Sequence, residues 1–156
     1  MNMNIGIIIH SCTGNTLSVA EKLKSALAAK GHAVKLERVT AVHEDPGTKE
    51  RIMLASAPDI IPYDAVIIGA PVRAFSLSPV MKAYLAQIPE IQGTKVACFV
   101  TEHFPKPWMG GNQAIKQMMH AIGNKGGSVT ATGVVNWSGK AREEQIQAVV
   151  STLSGI

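Results

Sequence analysis

Residues Ile5-Gly6-Ile7-Ile8-Ile9 are apolar at every position and mostly β-branched. A strand with one face in water would alternate, so a continuous run must be covered on both faces, as in the interior of a parallel sheet flanked by helices. The same pattern returns at Ala65-Val66-Ile67-Ile68-Gly69. Between the two, the periodicity changes. From Thr16 onward, Leu17, Ala20, Leu23 and Leu27 recur at spacings of three and four, with Lys22, Lys24 and Lys30 facing outward and Gly31 placed to stop the helix.

The alternation of strand and helix continues to the end of the chain. Ala33–Val39 reads as a more peripheral strand, and Thr40–Ile61 is polar and punctuated by proline, with a weak helical tendency around Lys49–Ala55. Ala70–Ser78 reads as a loop, and Pro79 suits the first turn of a helix running through Gln87. Then come a strand at Lys95–Val100, a long loop at Thr101–Gly111, a helix at Asn112–Ile122, a strand at Ser128–Val135 and a helix at Lys140–Leu153. Five strands joined by helices require right-handed crossovers, hence a doubly wound α/β sheet that takes its ligands at the carboxyl ends of the strands. At 156 residues, with 46% hydrophobic and 4% aromatic content, the chain is expected to form one such domain over residues 1–156.

Fifteen Lys and Arg against eleven Asp and Glu leave a net charge of +4, but the basic residues are scattered singly. No basic stripe with interleaved aromatics is present, which argues against nucleic-acid binding. Cys12 and Cys98 form no C-x-x-C pair, and a reducing cytoplasm is the expected compartment. The start lacks a basic leader region and its apolar run is too short to cross a bilayer, so no membrane insertion is expected.

The chemistry-bearing segment follows the first strand. Ser11-Cys12-Thr13-Gly14-Asn15-Thr16 places hydroxyls, an amide and a glycine where backbone N–H groups and a helix N-terminus can hold a phosphate dianion. It is not a Walker loop, which ends in Gly-Lys-Ser/Thr, and it lacks the G-x-G-x-x-G dinucleotide fingerprint. The loop suits a terminal monophosphate; alternatively Thr13, Asn15 and Thr16 only cap the helix. A tyrosine-phosphatase loop would need an arginine at the position of Ser18, and a receiver domain would need acidic residues after the first strand and an aspartate where Gly69-Ala70-Pro71 stands. Cys12 reads as a spacer and Cys98 as core.

Ser11, Thr13, Gly14 and Thr16 match every defining position of the flavodoxin phosphate loop, (Thr/Ser)-x-Thr-Gly-x-Thr. The segment from Pro62 to Val72 resembles the third strand and first flavin-flanking loop of that family, and Thr94–Gly111 resembles the fourth strand and second loop. The chain thus resembles the short-chain flavodoxins over nearly its whole length. The resemblance implies strand order 2-1-3-4-5 with flavin mononucleotide (FMN) at the switch point between strands 1 and 3. It implies that Ser11, Cys12, Thr13, Gly14, Asn15 and Thr16 hold the phosphate. The ring is then expected between Pro71, Val72, Arg73, Ala74 and Phe75 on one side and Thr101, Glu102, His103, Phe104, Trp108, Gly110 and Gly111 on the other. Phe75, Phe104 and Trp108 are the candidates to stack on it.

The implied function is electron transport between redox partner proteins, the flavoprotein docking them over the exposed edge of its flavin. The alternative is an oxidoreductase of the NAD(P)H-dependent quinone or flavin reductase type, favoured by the basic balance with Arg73 and Lys106 but lacking a separate nucleotide-binding unit. Familiar flavodoxins are acidic around the flavin, whereas these loops carry Arg73, Lys106 and only Glu102. A cation beside the reduced, anionic ring raises its potential, so a weaker reductant is expected.

Overall fold

The computed structural model describes residues 2–44, 52–106 and 108–156. Five strands, β1 (Asn4–Ile9), β2 (Ala33–Arg38), β5 (Ala65–Arg73), β7 (Lys95–Glu102) and β8 (Ser128–Asn136), form a parallel sheet in the order β2-β1-β5-β7-β8. Counting these strands along the chain, this is the expected order 2-1-3-4-5. Two short pieces, β3 (Thr40–Ala41) and β4 (Leu54–Ser56), make a separate antiparallel pair, and β6 (Ser76–Leu77) folds back on β5. The helices are α1 (Asn15–Ala29), α2 (Pro79–Gln87), α3 (Gly111–Asn124) and α4 (Arg142–Leu153).

The apolar runs do what their lack of alternation demands. Ile5, Ile7 and Ile9 of β1 point into one core with Val19, Ala20, Leu23 and Leu27 of α1 and Ile146, Val149 and Leu153 of α4. Ile8 points the other way, into a core built with Val80, Met81, Tyr84 and Leu85 of α2 and Ala114, Met118 and Ile122 of α3. At two strand glycines an aromatic from elsewhere in the fold fills the space left by the missing side chain. The Tyr63 ring covers Gly6, and the Phe99 ring covers Gly69.

Three sequence expectations are corrected. The weak helix at Lys49–Ala55 is absent in its described part, where Leu54–Ser56 is a strand; residues 49–51 lie outside the described residues. Pairing wins over local propensity there, because the Val42 N–H donates to the Met53 carbonyl at 2.8 Å while Val39, Ala41 and Leu54 join the α2–α3 core. Ala70–Ser78 is not a loop, since β5 runs on to Arg73 and turns back as β6, with Val72 opposite Leu77 and Arg73 opposite Ser76. Likewise β7 keeps Thr101 and Glu102, which pair with Val135 and Asn136, and α3 already begins at Gly111. Extra strand length on β5 and β7 carries both flanking segments beyond the end of β1, where the sheet opens into a cleft.

Candidate functional site

The cleft at the carboxyl end of β1, β5 and β7 has a volume of about 450 Å³ and is lined by Cys12, Thr13, Asn15, Pro71, Val72, Arg73, Thr101, Glu102 and His103. That volume falls in the range of small-molecule and cofactor sites. Three sequence segments far apart in the chain therefore converge as the strand order requires.

The loop between β1 and α1 is shaped to receive an anion. Gly14, just before α1, has a φ of 90°, a left-handed conformation that residues with a Cβ rarely adopt. No side chain caps the helix at that position. The Leu17 N–H is taken by Ser11 Oγ at 3.2 Å, whereas the N–H groups of residues 13–16 meet no acceptor among the described residues. Unpaired N–H groups in the first turn concentrate the positive end of the helix dipole. The loop itself lacks a cation, but the fold supplies two from elsewhere. Arg38, at the end of β2, donates to the Ser11 carbonyl at 3.2 Å, and Arg73 lines the same cleft.

Within this loop Thr16 stands apart. Its hydroxyl is buried and bonds Thr101 Oγ1 at 2.8 Å, tying α1 to β7 behind the loop. Thr16 thus holds the loop against the sheet, and Thr13 and Asn15 present the polar atoms that line the cleft.

The two flanking segments touch each other, through Phe75 and Phe104, neither of which lines the cleft. Ala74 and Phe75 occupy the two-residue turn between β5 and β6 with φ of 50° and 62°. Such a turn calls for positive φ at both central residues and is usually built from Asn and Gly, so Ala-Phe here is strained. The Phe75 ring lies parallel to that of Phe104, with centroids 5.1 Å apart and planes within 3°. Both rings are partly exposed. His103 meets Phe104 edge-on at 6.1 Å. Trp108 is 75% exposed and is not among the cleft-lining residues. Gly110 lets the second segment approach the first, since a Cβ there would lie 2.9 Å from both Phe75 Cα and Val72 Cγ1. Gly111 does the same for Glu102, whose Oε1 would lie 2.8 Å from a Cβ.

Glu102 is a polar group without full satisfaction. Only 3% exposed, it accepts from the Asn136 side chain through Oε1, while Oε2 is buried and has no partner among the described residues. Burial pushes its pKa above the ordinary carboxylate value, outweighing the bonds from Asn136 and the Gly111 N–H.

The structure also brings forward residues that sequence reasoning passed over. His10, only 3% exposed, places Nδ1 2.9 Å from Ser78 Oγ and Nε2 2.9 Å from Glu44 Oε2. Burial lowers the His10 pKa more than Glu44 raises it, so the ring is neutral near pH 7. For Glu44, burial opposes ionisation, but the Ala41 N–H and His10 outweigh it and hold the carboxyl below its ordinary value. An ionised Glu44 can only accept, which assigns the proton to Nε2 and leaves Nδ1 to accept from the Ser78 hydroxyl. The Cys12 sulfur lies 3.6 Å from the same Nε2, and burial raises its pKa against the charges of Arg73 and Arg38. One signal for His10 was available, a polar residue directly closing an apolar strand before the loop. Nothing in sequence marks Glu44, 34 residues away.

No family model matches the sequence, and no curated protein matches it. Solved structures do match, over nearly the whole chain. A flavoprotein from Lactobacillus acidophilus, solved in complex with FMN, is 18% identical, with 94% of this chain and 97% of that chain covered and a TM-score of 0.67. A flavodoxin from Streptococcus pneumoniae TIGR4 is 16% identical, with 97% and 98% covered and a TM-score of 0.68. The two-electron reduced flavodoxin of Megasphaera elsdenii is 18% identical, with 97% and 99% covered and a TM-score of 0.70. No helix among the described residues is long and apolar enough to cross a membrane. With its strand order, its glycine-turned loop after β1 and these matches taken together, the chain has the flavodoxin fold.

Proposed function

We propose that the chain binds FMN and carries electrons between redox partner proteins. The observation that carries this reading is the loop Ser11–Thr16, whose free N–H groups open onto a cleft lined by Pro71, Val72 and Arg73 of β5 and by Thr101, Glu102 and His103. The residues present fit the cofactor. The N–H groups of residues 13–16 would take the phosphate, with Thr13 and Asn15 beside them and Arg38 and Arg73 balancing its charge. Pro71, Val72, Arg73, Thr101, Glu102 and His103 would border the ring, and Phe75 and Phe104 already present parallel faces. The two rings now stack on each other, so they would have to part to admit a ring between them, and both are exposed enough to do so. When bound, FMN supplies the redox chemistry, and the protein supplies orientation and charge. The Phe75, Phe104 and Trp108 side chains, 56%, 36% and 75% exposed, leave an apolar rim on which a partner protein can seat.

Purified protein reconstituted with FMN and desalted should retain one flavin per chain with a shifted visible spectrum. Anaerobic NADPH should leave that spectrum unchanged, whereas a protein electron donor should bleach it. Rapid bleaching by NADPH alone would overturn the carrier in favour of a reductase, and loss of flavin on desalting would overturn FMN binding.

A further inference from the structure

Three groups of different chemistry meet beside the phosphate loop: His10 Nε2, Cys12 Sγ and Glu44, with their ligand atoms within 4.8 Å of one another. We propose that His10, Cys12 and Glu44 form a three-ligand site for Zn²⁺ or a similar thiolate-binding divalent cation, with its fourth position open to the cleft.

One ligand separation already matches that of a formed site, and the others need a modest movement of the exposed Glu44 side chain. Tetrahedral zinc has bonds of about 2.05 Å to nitrogen and about 2.3 Å to sulfur, which sets those two ligands about 3.6 Å apart. His10 Nε2 and Cys12 Sγ are 3.6 Å apart. The corresponding nitrogen–oxygen separation is about 3.4 Å, so Glu44, now hydrogen-bonded at 2.9 Å, has to withdraw by roughly half an ångström. Its side chain is 46% exposed and has room to do so.

The surroundings suit a metal-bound imidazole. A ligating histidine is oriented by a hydrogen bond from its other ring nitrogen, and here Nδ1 faces Ser78 Oγ at 2.9 Å. Ser78 is itself held at the start of α2, where its Oγ accepts from the Met81 N–H at 3.2 Å. On metal binding the ring proton shifts to Nδ1 and donates to Ser78, freeing the Nε2 lone pair. The Cys12 thiol loses one proton to solvent, and thiolate with carboxylate then neutralises the divalent charge. Cys12 also lines the cleft, so the open position faces the place where an anion would lie. A mixed sulfur, nitrogen and oxygen donor set favours zinc-class ions over Mg²⁺ or Ca²⁺, which take oxygen ligands.

Cobalt(II) serves as a spectroscopic probe for such a site. Flavin-free protein, treated with chelator and titrated with Co²⁺, should bind one ion per chain with a thiolate-to-cobalt charge-transfer band, and one equivalent of Zn²⁺ should displace it. Cys12→Ser should abolish the band, Glu44→Gln should weaken binding by about tenfold or more, and Cys98→Ala should change neither. Because His10 is buried, Cys12→Ser and Glu44→Gln serve as the principal variants, each checked for folding by circular dichroism. Absence of the band in wild-type protein, its persistence in Cys12→Ser, or equal affinity in Glu44→Gln would overturn the site. None of these readouts depends on flavin.

Discussion

The sharpest test of how the sheet positions the cleft is the pair Gly69 and Phe99. They stand opposite each other on β5 and β7, and β5 reaches the cleft only two residues later, at Pro71. A Cβ on Gly69 would lie 2.3 Å from Phe99 Cζ and 2.5 Å from Cε1. Carbon atoms need about 3.5 Å or more, so the ring must retreat by more than an ångström in a core where Phe99 is 0% exposed. Overpacking of this kind costs about 3 kcal/mol at the upper end of its usual range. For a domain of this size that corresponds to a fall in Tm of about 6–12 °C. Phe99→Leu removes the atoms that clash and alone should cost about 1–2 kcal/mol. Because Leu makes room for the new methyl, the double variant Gly69→Ala/Phe99→Leu should be about as stable as Phe99→Leu alone, a coupling of about 2–3 kcal/mol. Urea unfolding of the four proteins measures it. Single costs that add to within about 0.5 kcal/mol would refute the steric account.

Other outcomes follow from the site. Thr16→Val leaves Thr101 Oγ1 buried without its partner and should cost about 1–3 kcal/mol in denaturant unfolding, with Thr16→Ser restoring most of it. Phe75→Gly relieves the positive φ but removes the Phe104 stack, so melting should stay within about 1 kcal/mol of wild type while FMN retention on desalting falls; an unchanged retention would remove Phe75 from the site. Glu102 has a folded pKa raised above its ordinary value of 4.5. Its contribution is therefore fully present below that value and is lost as pH climbs through the folded pKa. Melts of wild type and Glu102→Gln from about pH 4 to about pH 8 should show the variant gaining relative stability as pH rises, and parallel curves would refute the assignment.

Much of the fold was legible in the chain because its signals are local. Continuous apolar runs at Ile5–Ile9 and Ala65–Gly69 announced strands covered on both faces, and the three-and-four spacing from Leu17 to Leu27 announced α1. The phosphate-loop pattern was legible for the same reason, since its residues are adjacent and its glycine marks a turn that side chains resist. The stretch 40–61 was misread where pairing partners lie apart in sequence, because Thr40 and Ala41 are strand only in register with Leu54–Ser56. The end of β5 reads as loop in sequence because Pro71 interrupts the apolar run, and only pairing with β6 and β7 on either side keeps residues 71–73 extended.

What the sequence by itself determined is the layered architecture and the glycine-turned loop after β1, both set by periodicity and by the short-range geometry of the backbone. Tertiary structure alone decided which cations lie beside that loop, that Thr16 braces it through Thr101, that Phe75 faces Phe104, and that His10, Cys12 and Glu44 converge. The physical reason is that these contacts join residues from different strands. Their distances are set by the twist, register and order of the sheet, and none of those can be read along the chain.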